Sequence, residues 1–126
     1  MHAWREAVVW DILARHGVVP AAPYRLGFGR LSCMTCMFGT PSLWATIRLI
    51  ARAWFERVAR YEREFGCTIQ RTRSVRDLAD RGTPYPAALA QPELVAQALA
   101  PRWLVDVRTA DWQLPPGAFG ETAGPA

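Results

Sequence analysis

Lysine is missing from this sequence: all 15 basic residues are arginine, set against 11 acidic ones, for a net charge of +4. A coding bias alone would give such a list, so the arginines cannot be read as chosen for phosphate. Nucleic acid is therefore a less favoured partner, despite the basic balance. A long apolar run is missing too. Leu31 to Ile47 holds no charged residue, but Gly39, Pro41 and several Ser and Thr interrupt it. It falls short of a membrane span and reads as a buried or interfacial loop leading into a helix. The start, Met1-His2-Ala3-Trp4-Arg5-Glu6, has no basic stretch, apolar run or small-residue cleavage site; the expected location is the cytoplasm. No Ser/His/Asp set, paired carboxylates or HExxH spacing points to hydrolysis. Cysteine is scarce, with three in 126 residues. An odd count in a reducing compartment argues against a disulfide framework and for metal or redox use of the close pair, Cys33 and Cys36.

What is present suits one compact module. A chain of this length, 51% hydrophobic, buries one core but cannot hold a nucleotide domain and a second domain. Between Trp4 and Arg15, the residues Ala7, Val8, Ile12 and Leu13 share a helical face, and Gly17 is a natural stop. Val18 to Arg30 carries Pro20, Pro23, Gly27 and Gly29 and reads as an ordered loop presenting Tyr24, Arg25 and Phe28. Thr40 and Pro41 form a cap and first turn. Trp44, Ile47, Ala51, Trp54, Val58, Tyr61 and Phe65 then recur at three- and four-residue spacing, the longest helical signal in the chain, as one helix or as two bent near Arg52. Arg52, Glu56, Arg60 and Glu64 form a solvated ladder on another face, and Gly66 marks the end.

Cys67, Thr68 and Ile69 have strand character. Ser74 and Asp77 make a capping box for a short helix through Arg81, closed by Gly82. Pro84 and Pro86 imply an extended link. Pro92 opens a helix with Leu94, Val95, Ala98 and Leu99, and Pro101 ends it. Trp103, Leu104 and Val105 could form a short strand. The expected fold is mainly α: a single small helical module over residues 1–112 with an irregular Gly/Pro-rich loop and at most short strands. Residues 113–126 form a Pro/Gly/Ala-rich tail that frays unless Leu114 and Phe119 dock.

Two cysteines two residues apart can both face one metal ion, because a tight turn brings their thiolates together. They supply two ligands where a structural zinc or an iron–sulfur cubane needs four. Within the chain the candidates for the rest are Cys67, His16 and His2. Cys67 reads equally as a small buried hydrophobe, and His16 as a helix-end residue facing terminal carbonyls. A redox pair is the other reading of the motif, but Met34 and Thr35 offer no cation to lower a thiol pKa.

The succession Trp4, Val9-Trp10-Asp11-Ile12-Leu13, His16-Gly17, Pro20, Pro23-Tyr24-Arg25 and Gly27-Phe28-Gly29-Arg30-Leu31-Ser32-Cys33-Met34-Thr35-Cys36 resembles the C-terminal region of the phosphoadenosine phosphosulfate (PAPS) reductase family, among the PP-loop adenine-nucleotide enzymes. The resemblance spans Trp4 to Gly39 and at most reaches Pro86. It implies that Cys33 and Cys36 hold two irons of a four-iron, four-sulfur (4Fe-4S) cluster, with zinc as the alternative metal. It also implies that Arg25 and Arg30, flanking Gly27-Phe28-Gly29, grip an anionic substrate, the geometry in which guanidinium groups bind sulfate or phosphate bidentately.

The family's Ser-Gly-Gly-x-Asp-Ser-type nucleotide loop and upstream cysteines are absent, and no cysteine follows Cys67 to serve as its C-terminal nucleophile. The resemblance thus implies the cysteine-bearing part of a sulfur-metabolism enzyme, inactive alone, that works with a PP-loop nucleotide-binding chain or domain. Sulfur transfer is favoured over sulfonucleotide reduction. Trp4, Trp10, Phe28 and Trp44 would either face that partner or fill the core. The alternative is a non-catalytic interaction or assembly module, zinc-stapled or metal-free. Arg71, Arg73, Arg76 and Arg81 could track a nucleic-acid backbone but read better as a solvated face.

Overall fold

The computed structural model describes residues 4–31, 33–102 and 106–120. Among these the chain is mainly helical: α1 (Glu6–Arg15), α2 (Ala22–Arg25), α3 (Pro41–Ile50), α4 (Arg52–Phe65), α5 (Val75–Arg81), α6 (Pro86–Ala90) and α7 (Pro92–Leu99). Strand pairing among the described residues is limited to two isolated bridges, Val18 with Arg108 and Gln70 with Arg73.

α3 is the centre of the fold. The Thr40 hydroxyl accepts the Leu43 N–H at 3.2 Å, and Pro41 occupies the first turn, where its missing N–H costs nothing. Leu43, Trp44, Ala45, Thr46 and Ile47 are all buried, so neighbours surround this helix on every side. Its principal partner is α5, with α4 next, while α2 packs on α7. The one buried polar residue on α3, Thr46, is satisfied at both atoms. Its hydroxyl donates to the Ser42 carbonyl at 2.7 Å and accepts the Tyr85 N–H at 2.9 Å, which fixes the chain entering α6.

The long apolar stripe breaks at Ala51 (φ −135°, ψ 53°). Before the break, Trp44, Ile47 and Ala51 are buried as their spacing suggests; after it, the buried face shifts by one residue to Phe55 and Ala59. Trp54, Tyr61 and Phe65 are left 50%, 42% and 73% exposed. Past the break Phe55 of α4 meets Trp44 of α3 edge-on, ring centroids 6.4 Å apart. The expected charge ladder is partly realised. Arg60 and Glu64 pair along the helix at 3.5 Å, while Glu56 reaches across to Arg76 of α5.

Gly66 ends α4 in the left-handed region (φ 64°), and Ser74 with Asp77 forms the capping box of α5. Cys67 to Ile69 is not a strand. The backbone N–H groups of Ile69 and Val75 are both taken by the Glu62 carboxylate, at 2.9 Å and at 3.0–3.2 Å, which closes the connection between α4 and α5. Two short helices interrupt stretches that read as loop and extended link: α2 inside Val18–Arg30, and α6 starting at Pro86. Residues 103–105, where a strand was expected, lie outside the described residues.

α1 buries Trp10 rather than the predicted face; Ala7 and Val8 are exposed, and Ile12 and Leu13 are half-buried. The indole N–H of Trp10 donates to Glu6 at 2.8 Å, and its ring meets Tyr24 edge-on at 5.1 Å. The C-terminal segment lies back on the body, although Leu114 and Phe119 do not dock: they are 50% and 53% exposed. Pro115 and Gly117 are buried instead, the Gly117 N–H donates to the Tyr24 carbonyl at 2.9 Å, and the Phe119 N–H donates to Glu6 at 2.9 Å.

Candidate metal half-site

The loop between α2 and α3 carries the cysteine pair, and its approach is fixed by close backbone packing. Gly27 has φ +100°, and a Cβ there would come within 3.0 Å of Tyr85; a Cβ on Gly29 would stand 2.5 Å from the backbone of Gly120. Phe28 between them is buried and meets Tyr85 edge-on at 5.1 Å. The close approach that these glycines permit is therefore taken by the chain's own backbone and by Tyr85. An anion is not needed to explain them.

Beyond this clamp the loop rises to the surface. Met34 and Thr35 form a turn between Cys33, which is exposed, and Cys36, which is half-buried. A second turn at Met37 and Phe38 follows, closed by the Gly39 N–H donating to the Cys36 carbonyl at 2.9 Å. The Gly39 carbonyl accepts the Gln70 side-chain amide at 2.8 Å, and Thr40 then caps α3. Cys36 thus sits at a joint held by α3 on one side and by the α4–α5 connection on the other. Such a turn suits two of the four ligand positions of a tetrahedral zinc site, or two irons of a cubane cluster.

The other half is not gathered here. Among the described residues no group of three or more His, Cys, Asp or Glu side chains is assembled for a metal ion. Cys67 follows the Gly66 cap, is exposed, and borders a separate cleft with Val58, Tyr61, Phe65 and Ile69. His16 is exposed at the end of α1, and His2 lies outside the described residues. No disulfide links the three cysteines.

Arg30 and Cys33 share the rim of an apolar cavity of about 130 Å³ floored by Leu26, Phe28, Met34 and Ile50. Arg25 borders different clefts, one against α7 with Glu93 and Gln97 and one against Asp106, Arg108 and Asp111. The two arginines thus border different cavities. Of the aromatic residues that could have faced a partner, Trp10, Phe28 and Trp44 are in the core and Trp4 is exposed. Arg76, within the basic stretch, is engaged with Glu56 and lies over the Phe55 ring.

One feature of the site has no plain signal in the sequence. The fully buried indole N–H of Trp44 finds no hydrogen-bond partner among the described residues, and its nitrogen stands 2.9 Å from where a Gly39 Cβ would be, with the Cys36 carbonyl oxygen 3.0 Å from that same point. A buried donor left unpaired costs about 1–3 kcal/mol. In the sequence Trp44 reads as a core residue or as a partner-facing aromatic, not as a donor at this site.

No helix among the described residues is long and apolar enough to cross a membrane. No family model matches the sequence, and neither a curated protein nor a solved structure matches the chain.

Proposed function

We propose that this chain is the cysteine-bearing part of a PP-loop-type sulfur-metabolism protein, in which Cys33 and Cys36 hold one half of a metal centre and a separate chain or domain binds the nucleotide. The observation that carries the reading is the pair itself: two cysteines on either side of a two-residue turn, on a loop clamped at both ends, with Cys33 open to solvent. Arg30 lines the same cavity as Cys33, which supports a role for it in meeting an anionic group near the thiolates. Arg25, bordering other clefts, contributes to that role less directly. When bound, a cluster would supply electron transfer or a site for sulfur; zinc would supply a structural staple.

Anaerobic purification followed by iron, sulfide and zinc analysis tests the proposal. Iron with acid-labile sulfide and a broad visible absorption supports the cluster. If Cys33→Ser leaves both metal content and stability unchanged, the half-site is wrong. The second reading, a non-catalytic assembly module, draws on the exposed stripe Trp54, Tyr61 and Phe65 along α4. Retention of zinc or of no metal, with binding abolished by changes on that stripe, would favour it.

A further inference from the structure

We infer that the missing two ligands come from a second copy of this chain, so that Cys33 and Cys36 of two protomers close a four-thiolate site on a twofold axis. The inference rests on the half-site reading above and says what completes it.

Ligand number is the first argument. A closed structural site takes four donors, and each chain offers two on one turn, with no third His, Cys, Asp or Glu gathered beside them among the described residues. A twofold axis doubles two into four without a new residue type, and such an isologous joint is the commonest way that identical chains associate. The second argument is the surface around the pair. Leu31, Met37 and Phe38 flank the cysteines and are 43%, 55% and 44% exposed. The run from Leu31 to Ile47 contains no charged residue. A surface that must face its own image cannot carry a cluster of one sign, because like charges would meet across the axis; this one is largely apolar, with Arg30 as the single cation lining the cavity beside Cys33.

Charge at the site is the third argument. Four thiolates around a divalent ion leave a net charge of −2. The N–H of Trp44, which has no hydrogen-bond partner among the described residues, and the N-terminal end of α3, which starts at Pro41, both lie beside the Cys36–Gly39 turn. Both present positive dipole ends. Closing the site with Zn²⁺ forms four Zn–S bonds and releases four thiol protons to solvent. The nucleotide-binding partner then supplies no thiolate and docks elsewhere.

The experiment titrates zinc(II) into the reduced, metal-free full chain and follows mass by light scattering and metal content by atomic absorption. The expected result is a doubling of mass at one zinc per two chains, reversed by a chelator. Cys33→Ser and Cys36→Ser should each stay monomeric with helical circular dichroism unchanged, while Cys67→Ser should dimerise like the parent. One zinc bound per monomer overturns the twofold site and leaves the half-site reading standing. No retained zinc overturns the twofold zinc site, and the half-site reading falls with it only if anaerobic purification also yields neither iron nor sulfide. A dimer that persists in the serine variants or without metal shows that another surface makes the joint and overturns the inference.

Discussion

Replacing Glu62 with glutamine should cost far more stability than the same change at Glu64, two residues on in the same helix. The Glu62 carboxylate accepts the Ile69 N–H at 2.9 Å and the Val75 N–H at 3.0–3.2 Å, and Val75 is fully buried. Hydrogen bonds to a charged group are worth roughly 1.5–3 kcal/mol each. Oε1 accepts both N–H groups and Oε2 accepts Val75 a second time. The amide of Glu62→Gln therefore keeps the Oε1 bonds without their charge, loses the Oε2 bond and sets its NH₂ donor to donor against the Val75 N–H, for an expected loss of about 2 kcal/mol.

That is a sizeable share of the roughly 5–15 kcal/mol that holds a small domain folded. It corresponds to a fall in Tm of roughly 6–10 °C and a urea midpoint lowered by about 1 M with an unchanged slope. Glu64 makes only an exposed pair with Arg60 at 3.5 Å, so Glu64→Gln should cost about 0.3–0.5 kcal/mol. Tryptophan fluorescence during urea unfolding reads both. Equal losses in the two variants, or a loss below about 0.5 kcal/mol for Glu62→Gln, would refute the view that this carboxylate closes the α4–α5 connection.

Gly39→Ala would place a methyl group 2.8–3.0 Å from Leu43, Trp44 and the Cys36 carbonyl; a loss of about 1–3 kcal/mol is expected, with weaker zinc binding measured by competition with a chromogenic chelator. Phe55→Ala removes a fully buried ring from between α3 and α4 and should cost about 3–5 kcal/mol in thermal or denaturant unfolding. Ser74→Ala breaks the capping box and should cost about 0.5–2 kcal/mol, while Phe65→Ser, at a site 73% exposed, should stay within about 0.5 kcal/mol of the parent.

These contrasts follow the line between what was legible in the sequence and what was not. Thr40 with Pro41, Gly66, Ser74 with Asp77, and Pro92 act through side chain and backbone within a few residues, so the helix ends that they set could be read directly. The break at Ala51 carries no glycine or proline. Past it Phe55, rather than Trp54 of the apolar spacing, packs against Trp44, a tertiary choice that spacing does not encode. The turn between Cys33 and Cys36 is local and was legible. The separation of Arg25 from Arg30, and of Cys67 from the pair, depends on where α4 and α7 come to lie, which spacing does not encode. The docked tail was missed because it is held by glycine contacts and backbone hydrogen bonds rather than by the apolar side chains Leu114 and Phe119.

That docked tail also sets the order of events as the chain folds. Gly29 packs against Gly120, Trp112 donates to the Val18 carbonyl across 94 residues of sequence, and Glu6 holds the Phe119 N–H across 113. Contacts so distant in sequence form late, because the entropy of closing the intervening chain is lost before they add stability. The packing of Gly29 on Gly120 behind the loop of Cys33 and Cys36 therefore completes a support that the nearer contacts of Gly27 with Tyr85 and of Gly39 with Gln70 begin.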